Sequence, residues 1–379
     1  MKIPFNKPAV LGSEIKYIRQ TVRSLKISGD GEFTKECSKL IETKFAVNKV
    51  LLTTSCTHAL EMAALLLDIK RGDEVIVPSY TFSSTVNAFL LRGAKPVFCD
   101  IRGDTLNIDE KNIRDKITKR TKAIVPVHYA GVGCEMDYIK DIAEENNLKV
   151  VEDAAQAVNA KYNGRYLGTI GDLGAYSFHE TKNYACGEGG ALLINDDRYV
   201  ERAEIIREKG TDRSRFYRGE VDKYTWVDIG SSYLPSEILS AFLLAQLENK
   251  DKIQNMRGAV FSHYMKSLKK YQKNGLLRLP VIPKQCRTNY HMFYVLLPNE
   301  KFRDTLLREL NSQGIHAVIH YLPLHSSPMG LKLGYHTGDF PISEEVSQRI
   351  IRLPLYAGLK DEDFEYIIET IGEKLEALE

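Results

Sequence analysis

Residues 50–69 read VLLTTSCTHALEMAALLLDI. The opening run, VLLTT, is continuously apolar or β-branched, the pattern of a strand buried on both faces. From His58 onward the apolar residues recur at helical spacing. Between the two, Thr53-Thr54-Ser55-Cys56-Thr57 takes the chain directly from strand to helix. Strands that deliver into helices are the units of parallel α/β sheets.

The same alternation continues downstream. Strand-like runs follow at EVIVPS (74–79), AKPVFCDI (94–101), AIVPVH (123–128), KVVEDA (149–154), GAYSF (174–178) and GALLIN (190–195). Helical spacing lies between most of them, as in MDYIKDIAEENN (136–147). Gly72 and Gly93 sit where helix C-caps are expected. The expected fold is therefore α/β, a mostly parallel central sheet with helices on both faces. The last two strands are joined without a helix, by SFHETKNYACGEGG (177–190), and there the pattern breaks. A helix is expected over DRYVERAEIIREKG (197–210), then a long functional loop over 211–232. Residues 235–273 read as one long helix bent near Gly258. A second α/β region follows: HMFYVLLP, the helix KFRDTLLRELNSQG, and HAVIHYLP. The expected division is a large domain over 1–245 and a smaller one over 246–379.

Composition excludes several classes. The 379 residues carry 52 Lys+Arg against 50 Asp+Glu, a net charge of +2, which gives no electrostatic basis for nucleic-acid or membrane-surface binding. No apolar run is long enough to span a membrane, and no signal-peptide pattern opens the chain. The six cysteines lack CxxC spacing, which points to free thiols in a reducing cytoplasm and to no metal site.

Four stretches carry chemistry. The helix start at Ser55-Cys56-Thr57 offers unpaired N–H groups and hydroxyls, a seat for phosphate or an ordinary N-cap. KVVEDAAQA places Asp153 at the C-terminal end of a central strand, where α/β folds bind ligands, with Gln156 close by. That carboxylate pairs with a protonated ring nitrogen or caps the next helix. Lys182, in SFHETKN, is either a solvated lysine or an amine desolvated for covalent chemistry. Tyr80 or Phe82, in YTFSS, stacks on a ligand ring or packs in the core. Taken together and in this order, they supply the partners that pyridoxal 5′-phosphate needs: phosphate seat, ring face, nitrogen partner and amine. No GxGxxG follows the first strand, which disfavours a dinucleotide site.

Long blocks then carry a resemblance: IPFNKP, SGDGEFT, GDEVIVPSYTF, VPVHYAG, VEDAAQA, SFHETKN, GEGGALLIN, DKYTWVDIGSSYLPSE, HYLPLH and RLPLY. The chain resembles the DegT/DnrJ/EryC1/StrS nucleotide-sugar aminotransferases, fold-type I pyridoxal-phosphate enzymes. The resemblance implies that Lys182 is the covalent anchor and proton carrier and that Asp153 is the ring-nitrogen partner. It implies Gln156 near the ring hydroxyl, Phe82 on the ring, and Ser55, Cys56, Thr57 and Ser177 around the phosphate. Where many members have GxNxR, this chain has Gly230-Ser231-Ser232-Tyr233-Leu234. A phosphate contact reaching the neighbouring subunit would therefore fall to the shorter Ser232.

For the sugar nucleotide and the amino donor, the resemblance offers Asp30 and Phe33 in the 29–34 loop, with His179, His320, Tyr321 and His325. Arg207 and Arg213 are offered for the diphosphate or glutamate, and each of these side chains equally suits a structural or solvated role. SFHETKNYACGEGGALLIND and DKYTWVDIGSSYL are similar to the members that aminate dTDP-4-keto-6-deoxyglucose with L-glutamate. The galacto-configured 4-amino sugar then serves enterobacterial common antigen, and the enzyme is expected to be a cytoplasmic homodimer with shared active sites. Other 4- or 3-aminotransferases, or a non-catalytic regulator on this scaffold, are the competing readings. Dehydratases of the family replace the lysine with histidine, and Lys182 opposes that reading.

Overall fold

The computed structural model describes residues 2–376. Helices α1 (Ser13–Ser24) and α2 (Glu32–Phe45) lead into β1 (Lys49–Thr53). The chain then runs α3 (Cys56–Leu66), β2 (Glu74–Pro78), α4 (Ser83–Leu90), β3 (Lys95–Cys99), β4 (Thr121–Ile124), α5 (Met136–Glu145) and β5 (Lys149–Asp153). A small hairpin, β6 (Lys161–Tyr162) and β7 (Arg165–Tyr166), precedes β8 (Leu173–Ser177) and β9 (Gly190–Ile194). Next come α6 (Val200–Arg207), α7 (Arg213–Tyr217), α8 (Glu237–Glu248), α9 (Lys250–Ser267) and α10 (Lys269–Lys273). The last part holds β10 (Cys286–Arg287), β11 (Phe293–Leu296), α11 (Glu300–Ser312), α12 (Pro328–Lys332), α13 (Pro341–Arg349), β12 (Ile350–Leu353) and α14 (Asp361–Glu376).

Seven strands form the main sheet in the order β1-β9-β8-β5-β4-β2-β3. The pairs β5·β8, β4·β5, β2·β4 and β2·β3 are parallel, and β9 alone runs against its neighbours β8 and β1. The reversal follows from the connection: residues 178–189 form no crossover helix and return the chain antiparallel as a long hairpin. The lysine-bearing loop is that return. Every residue of β2, β8 and β9 is buried, as expected of strands covered on both faces. Two apolar layers flank the sheet, one including Ile76, Ile124 and Val150, the other Val77, Val125 and Val151. The alternation follows the two-residue period of a strand.

A separate core gathers Ile3, Tyr264, Phe293, Leu306, Ile351 and Ile371 around the antiparallel pair β11·β12. Ile253 belongs to the first core and Phe261 to this one, so the chain passes between them along α9.

Three local expectations change. The long helix breaks at Asn249 (φ −97°, ψ 11°), and α9 continues unbroken through Gly258. Glycine is there because Tyr290 packs on the helix: a Cβ at 258 would lie 2.7 Å from its Cε2. HAVIHYLP forms no strand, only a bridge from Val318 to Arg352, and its His320 and Tyr321 line the cavity described below. The 211–232 segment carries α7 and is pinned by bridges Thr211–Trp226 and Glu208–Ser232.

Candidate active site

The strand ends of the main sheet and one edge of the smaller lobe enclose a cavity of about 380 Å³. At its floor, β1 turns into α3. The Ser55 hydroxyl caps the helix, accepting from His58 N–H at 3.1 Å. Cys56 and Thr57 are the first helical residues, whose N–H groups have no intrahelical acceptor. Thr57 donates to the Ser84 hydroxyl at 2.8 Å. The turn is pressed from behind by Gly190 of β9, where a Cβ would lie 2.3 Å from the Ser55 carbonyl carbon and 2.4 Å from Cys56 N. Ser177, at the end of β8, faces the same space. The combination of open N–H groups, the helix dipole and hydroxyls suits a phosphate.

Asp153 ends β5, with only 5% of its surface exposed. Its carboxylate accepts from Thr85 Oγ1 at 2.7 Å and from Ala155 N–H at 3.1 Å. Among the described residues no lysine, arginine or histidine forms an ion pair with it. A buried carboxylate held by neutral donors, on a cavity wall, is suited to a cationic ring nitrogen. Its neighbour Glu152 points the other way. It accepts from the N–H groups of Gly168 and Gly171 at 2.7 and 2.6 Å, and pairs with His128 Nε2 at 2.8 Å. Burial pushes the Glu152 carboxyl up, but these hydrogen bonds outweigh it and hold the group below its ordinary value. Glu152 and His128 thus fix the strand end from which Asp153 projects. His128 N–H also donates to the Asp153 carbonyl at 3.1 Å.

Lys182 reaches the cavity from the β8–β9 return. Burial pushes its ammonium below the ordinary 10.5; Cys56 and Asp153 oppose the shift, and Arg352 adds to it. Phe82 stands 58% exposed on the wall, a large aromatic face left for a ligand ring. Gln156 accepts from Ala130 N–H at 2.7 Å and donates to Tyr321 OH at 2.9 Å. His320 stacks on Tyr321 with centroids 3.7 Å apart, and its Nδ1 meets Tyr129 OH at 2.5 Å. Burial holds His320 well below its ordinary pKa and pushes the Tyr321 phenol up to about 12, so both are neutral at neutral pH. His179 is half-exposed, its Nδ1 2.9 Å from Thr181 Oγ1.

The structure therefore brings Ser55, Cys56, Thr57, Phe82, Asp153, Gln156, Ser177, His179, Lys182, His320 and Tyr321 to one cavity. The other candidates lie elsewhere in the chain. Arg207, the last residue of α6, is buried and holds both oxygens of Asp30 at 2.7 and 2.8 Å, tying the turn before α2 to α6; the 29–34 stretch expected as a loop enters α2 at Glu32, so Phe33 is helical. Phe33 packs on Tyr17 with centroids 5.5 Å apart. Arg213 binds Glu208 at 3.0 Å and the Tyr217 hydroxyl. His325 is fully buried between Ser79 Oγ (2.6 Å) and Glu344 Oε1 (2.8 Å), a packing role with no route to the cavity. Ser232 lies in the exposed bridge to Glu208 and does not line this cavity. Sequence reasoning missed Thr85, His291 and Arg352, of which the last two line the cavity. Arg352 lay in plain view in RLPLY, but a residue on a strand of the second lobe has no local signal that points to the first.

The sequence matches the DegT/DnrJ/EryC1/StrS aminotransferase family over residues 10–372. It is 34% identical to the GDP-perosamine synthase of Escherichia coli O157:H7, over 98% of each chain. It is 34% identical to the spore coat polysaccharide biosynthesis protein SpsC of Bacillus subtilis, over 97% of this chain and 96% of that one. Among solved structures, Spr1654 of Streptococcus pneumoniae in its PLP-form superposes with a TM-score of 0.92 at 26% identity, covering 100% of both chains.

Proposed function

We propose, for a chain that belongs to the DegT/DnrJ/EryC1/StrS aminotransferase family, that it binds pyridoxal 5′-phosphate in this cavity and moves an amino group from L-glutamate to C4 of dTDP-4-keto-6-deoxyglucose. The products are 2-oxoglutarate and dTDP-4-amino-4,6-dideoxygalactose. The observation that carries the reading is the meeting of three features: an open helix N-terminus, a cation-free buried Asp153 and a desolvated Lys182.

Each residue then has a task. The Cys56 and Thr57 N–H groups and the Ser177 hydroxyl hold the phosphate. Phe82 covers one ring face, and Asp153 balances charge at the ring nitrogen. The bound cofactor supplies a carbonyl that joins to amines and a ring that accepts an electron pair from the adjoining carbon. Desolvation lets Lys182 act as a free amine. Its Nζ removes the proton from the glutamate α-carbon, and in the second half-reaction it delivers a proton to sugar C4. The sugar face turned towards Lys182 sets the product configuration.

The dTDP and galacto assignments are supported by the SFHETKNYACGEGGALLIND and DKYTWVDIGSSYL blocks. A second reading, a GDP-linked 4-keto-6-deoxyhexose, is favoured by the similarity to GDP-perosamine synthases. We take the active form to be a cytoplasmic homodimer with shared sites. The uncovered Tyr224, Trp226, Val227 and Ile229, each 44–77% exposed, support a face that a second copy buries. On that reading Ser232, Arg207, Arg213 and the turn leading into α2 serve at or near the partner's cavity.

The test offers the purified, cofactor-loaded enzyme L-glutamate with dTDP- and GDP-4-keto-6-deoxyhexoses in parallel, and reads the product by NMR. An axial 4-amine on the dTDP sugar is the expected product. An equatorial amine, a 3-amine or preference for GDP would overturn the substrate assignment. Borohydride should fix the cofactor on Lys182, and a protein that takes up no pyridoxal phosphate would overturn the whole reading.

A further inference from the structure

We propose that Asn183 and His291 form a pair that positions Lys182, acting on proton transfer and not on substrate binding. The inference rests on the transamination reading above. Glu180 and Thr181, just before Lys182, are exposed, whereas Asn183, directly after it, is buried. The Asn183 amide reaches residues 288–291, the segment that leads into β11. Its Nδ2 donates to the Asn289 carbonyl at 2.7 Å, and its Oδ1 lies 3.0 Å from His291 Nδ1. This is the nearest buried tie to the reactive lysine, and it comes from the end of the chain that builds the smaller lobe.

The network leaves each proton one place. A carbonyl only accepts, so the Asn183 nitrogen faces Asn289 and its oxygen faces His291. His291 Nδ1 therefore carries the ring proton and donates it. Burial holds His291 well below its ordinary pKa, so the ring is neutral and Nε2, on the cavity side, is bare. An amide whose donor and acceptor are both met in a buried site has a single orientation, and it fixes the backbone from which Lys182 extends.

The segment that receives Asn183 is itself held. Arg257 of α9 donates to the Tyr290 and His291 carbonyls at 3.0 and 2.6 Å. Tyr290 sits at φ +57°, a left-handed conformation that a bulky side chain keeps only where its surroundings impose it. On the other side, the Asn289 amide donates to the carbonyls of Gln156 and Val158, both at 2.9 Å. Those residues belong to the turn that follows Asp153. Residues 288–291 thus form a bracket with two arms, one on the residue after Lys182 and one on the turn after Asp153. The bracket sets the spacing between the amine and the carboxylate that must serve one ring. A misplacement of about 1 Å in a reacting group costs on the order of 10²-fold in rate.

Two substitutions of His291 separate this role from a direct one in the cavity. Asparagine places its amide nitrogen where Nδ1 stood and leaves the Nε2 position empty; glutamine reaches the Nε2 position and vacates Nδ1. His291→Asn should keep the parent's single-turnover rates. His291→Gln and Asn183→Ala should lose roughly 10- to 100-fold, with half-saturating concentrations unchanged. The loss should be equal with glutamate on the pyridoxal-phosphate form and with the keto sugar on the pyridoxamine-phosphate form, because Lys182 carries the proton in both. The double variant should lose no more than either single one. In cofactor-free protein, hydrogen exchange over residues 178–189 should quicken in Asn183→Ala and His291→Gln and match the parent in His291→Asn. If Asn183→Ala does not fold, the two His291 variants decide. The opposite ranking of those two, parent rates in both Asn183→Ala and His291→Gln, a loss confined to one half-reaction, or raised half-saturating concentrations at an unchanged rate overturns the inference. A parent enzyme inert to glutamate would instead sink the transamination reading.

Discussion

Replacing Gly190 by alanine adds one methyl group at the back of the phosphate seat. The new Cβ would lie 2.3 Å from the Ser55 carbonyl carbon, 2.4 Å from Cys56 N and 2.5 Å from the Ser55 oxygen, where ordinary contact begins at 3.4 Å. All three neighbours are backbone, so no side chain can swing aside. The β1–α3 turn must move by roughly 1 Å, against strands buried on both sides, at about 1–3 kcal/mol for overpacking. That shift withdraws the Cys56 N–H from the phosphate. Losing one charge-assisted hydrogen bond weakens pyridoxal phosphate binding by roughly 10- to 100-fold. The assay titrates cofactor into stripped protein and follows absorbance, with thermal unfolding recorded alongside. Gly187→Ala is the control. Gly187 has φ +90° with nothing within 4 Å of its would-be Cβ, so alanine there costs about 1–2 kcal/mol of backbone strain but leaves the seat alone. Both variants lose stability, and only Gly190→Ala loses cofactor affinity. A folded Gly190→Ala protein with the parent's affinity would refute the placement of the phosphate.

The remaining predictions concern charge and assembly. Burial lowers the folded-state pKa of Lys182 below 10.5, so the unfolded chain holds that proton more tightly. The resulting penalty is fully present below the folded pKa and fades as pH rises through 10.5. Lys182→Met should therefore raise the Tm of cofactor-free protein at neutral pH, with a gain that shrinks towards alkaline pH, while turnover is lost. Asp153→Asn keeps the hydrogen-bonding shape but removes the counter-charge. Cofactor uptake should persist while the single-turnover rate with glutamate falls on the order of 10²- to 10³-fold. Trp226→Glu should move the protein, by light scattering, from twice the 43.0 kDa chain mass towards the monomer.

How far the sequence could be read follows from where each residue takes its partners. Strand ends such as Asp153 and helix starts such as Ser55-Cys56-Thr57 are local events, set by apolar runs and the caps that close them. Their meeting at one cavity follows from a parallel sheet, which presents all its strand C-termini on one edge. The reversed strand β9 was visible as a missing helix in residues 177–190. Arg207 and His325 could not be placed from the sequence, because basic side chains and HYLPLH look the same whether buried in a pair or facing a ligand. Their decisive partners, Asp30 and Glu344, lie 177 and 19 residues away. Arg352 escaped for the same reason, since its place on the cavity wall is invisible before the fold is known.

Charge accounting in the cavity also bounds what this protomer does alone. On the proposed reading, the phosphate is served by the open terminus of α3 and the ring nitrogen by Asp153. Among the described residues, no lysine or arginine besides Lys182 and Arg352 lines the cavity, and His291 and His320 are held neutral by burial. A nucleotide diphosphate carries too much charge to lie unpaired against a protein surface. Its cations must then come from beyond the cavity, from exposed basic residues at its mouth or from the second copy. Sugar affinity should therefore fall steeply with added salt, while the glutamate half-reaction, confined to the cavity of Lys182, changes less. If both half-reactions weakened equally with ionic strength, the division between a buried donor site and an exposed diphosphate site would not stand.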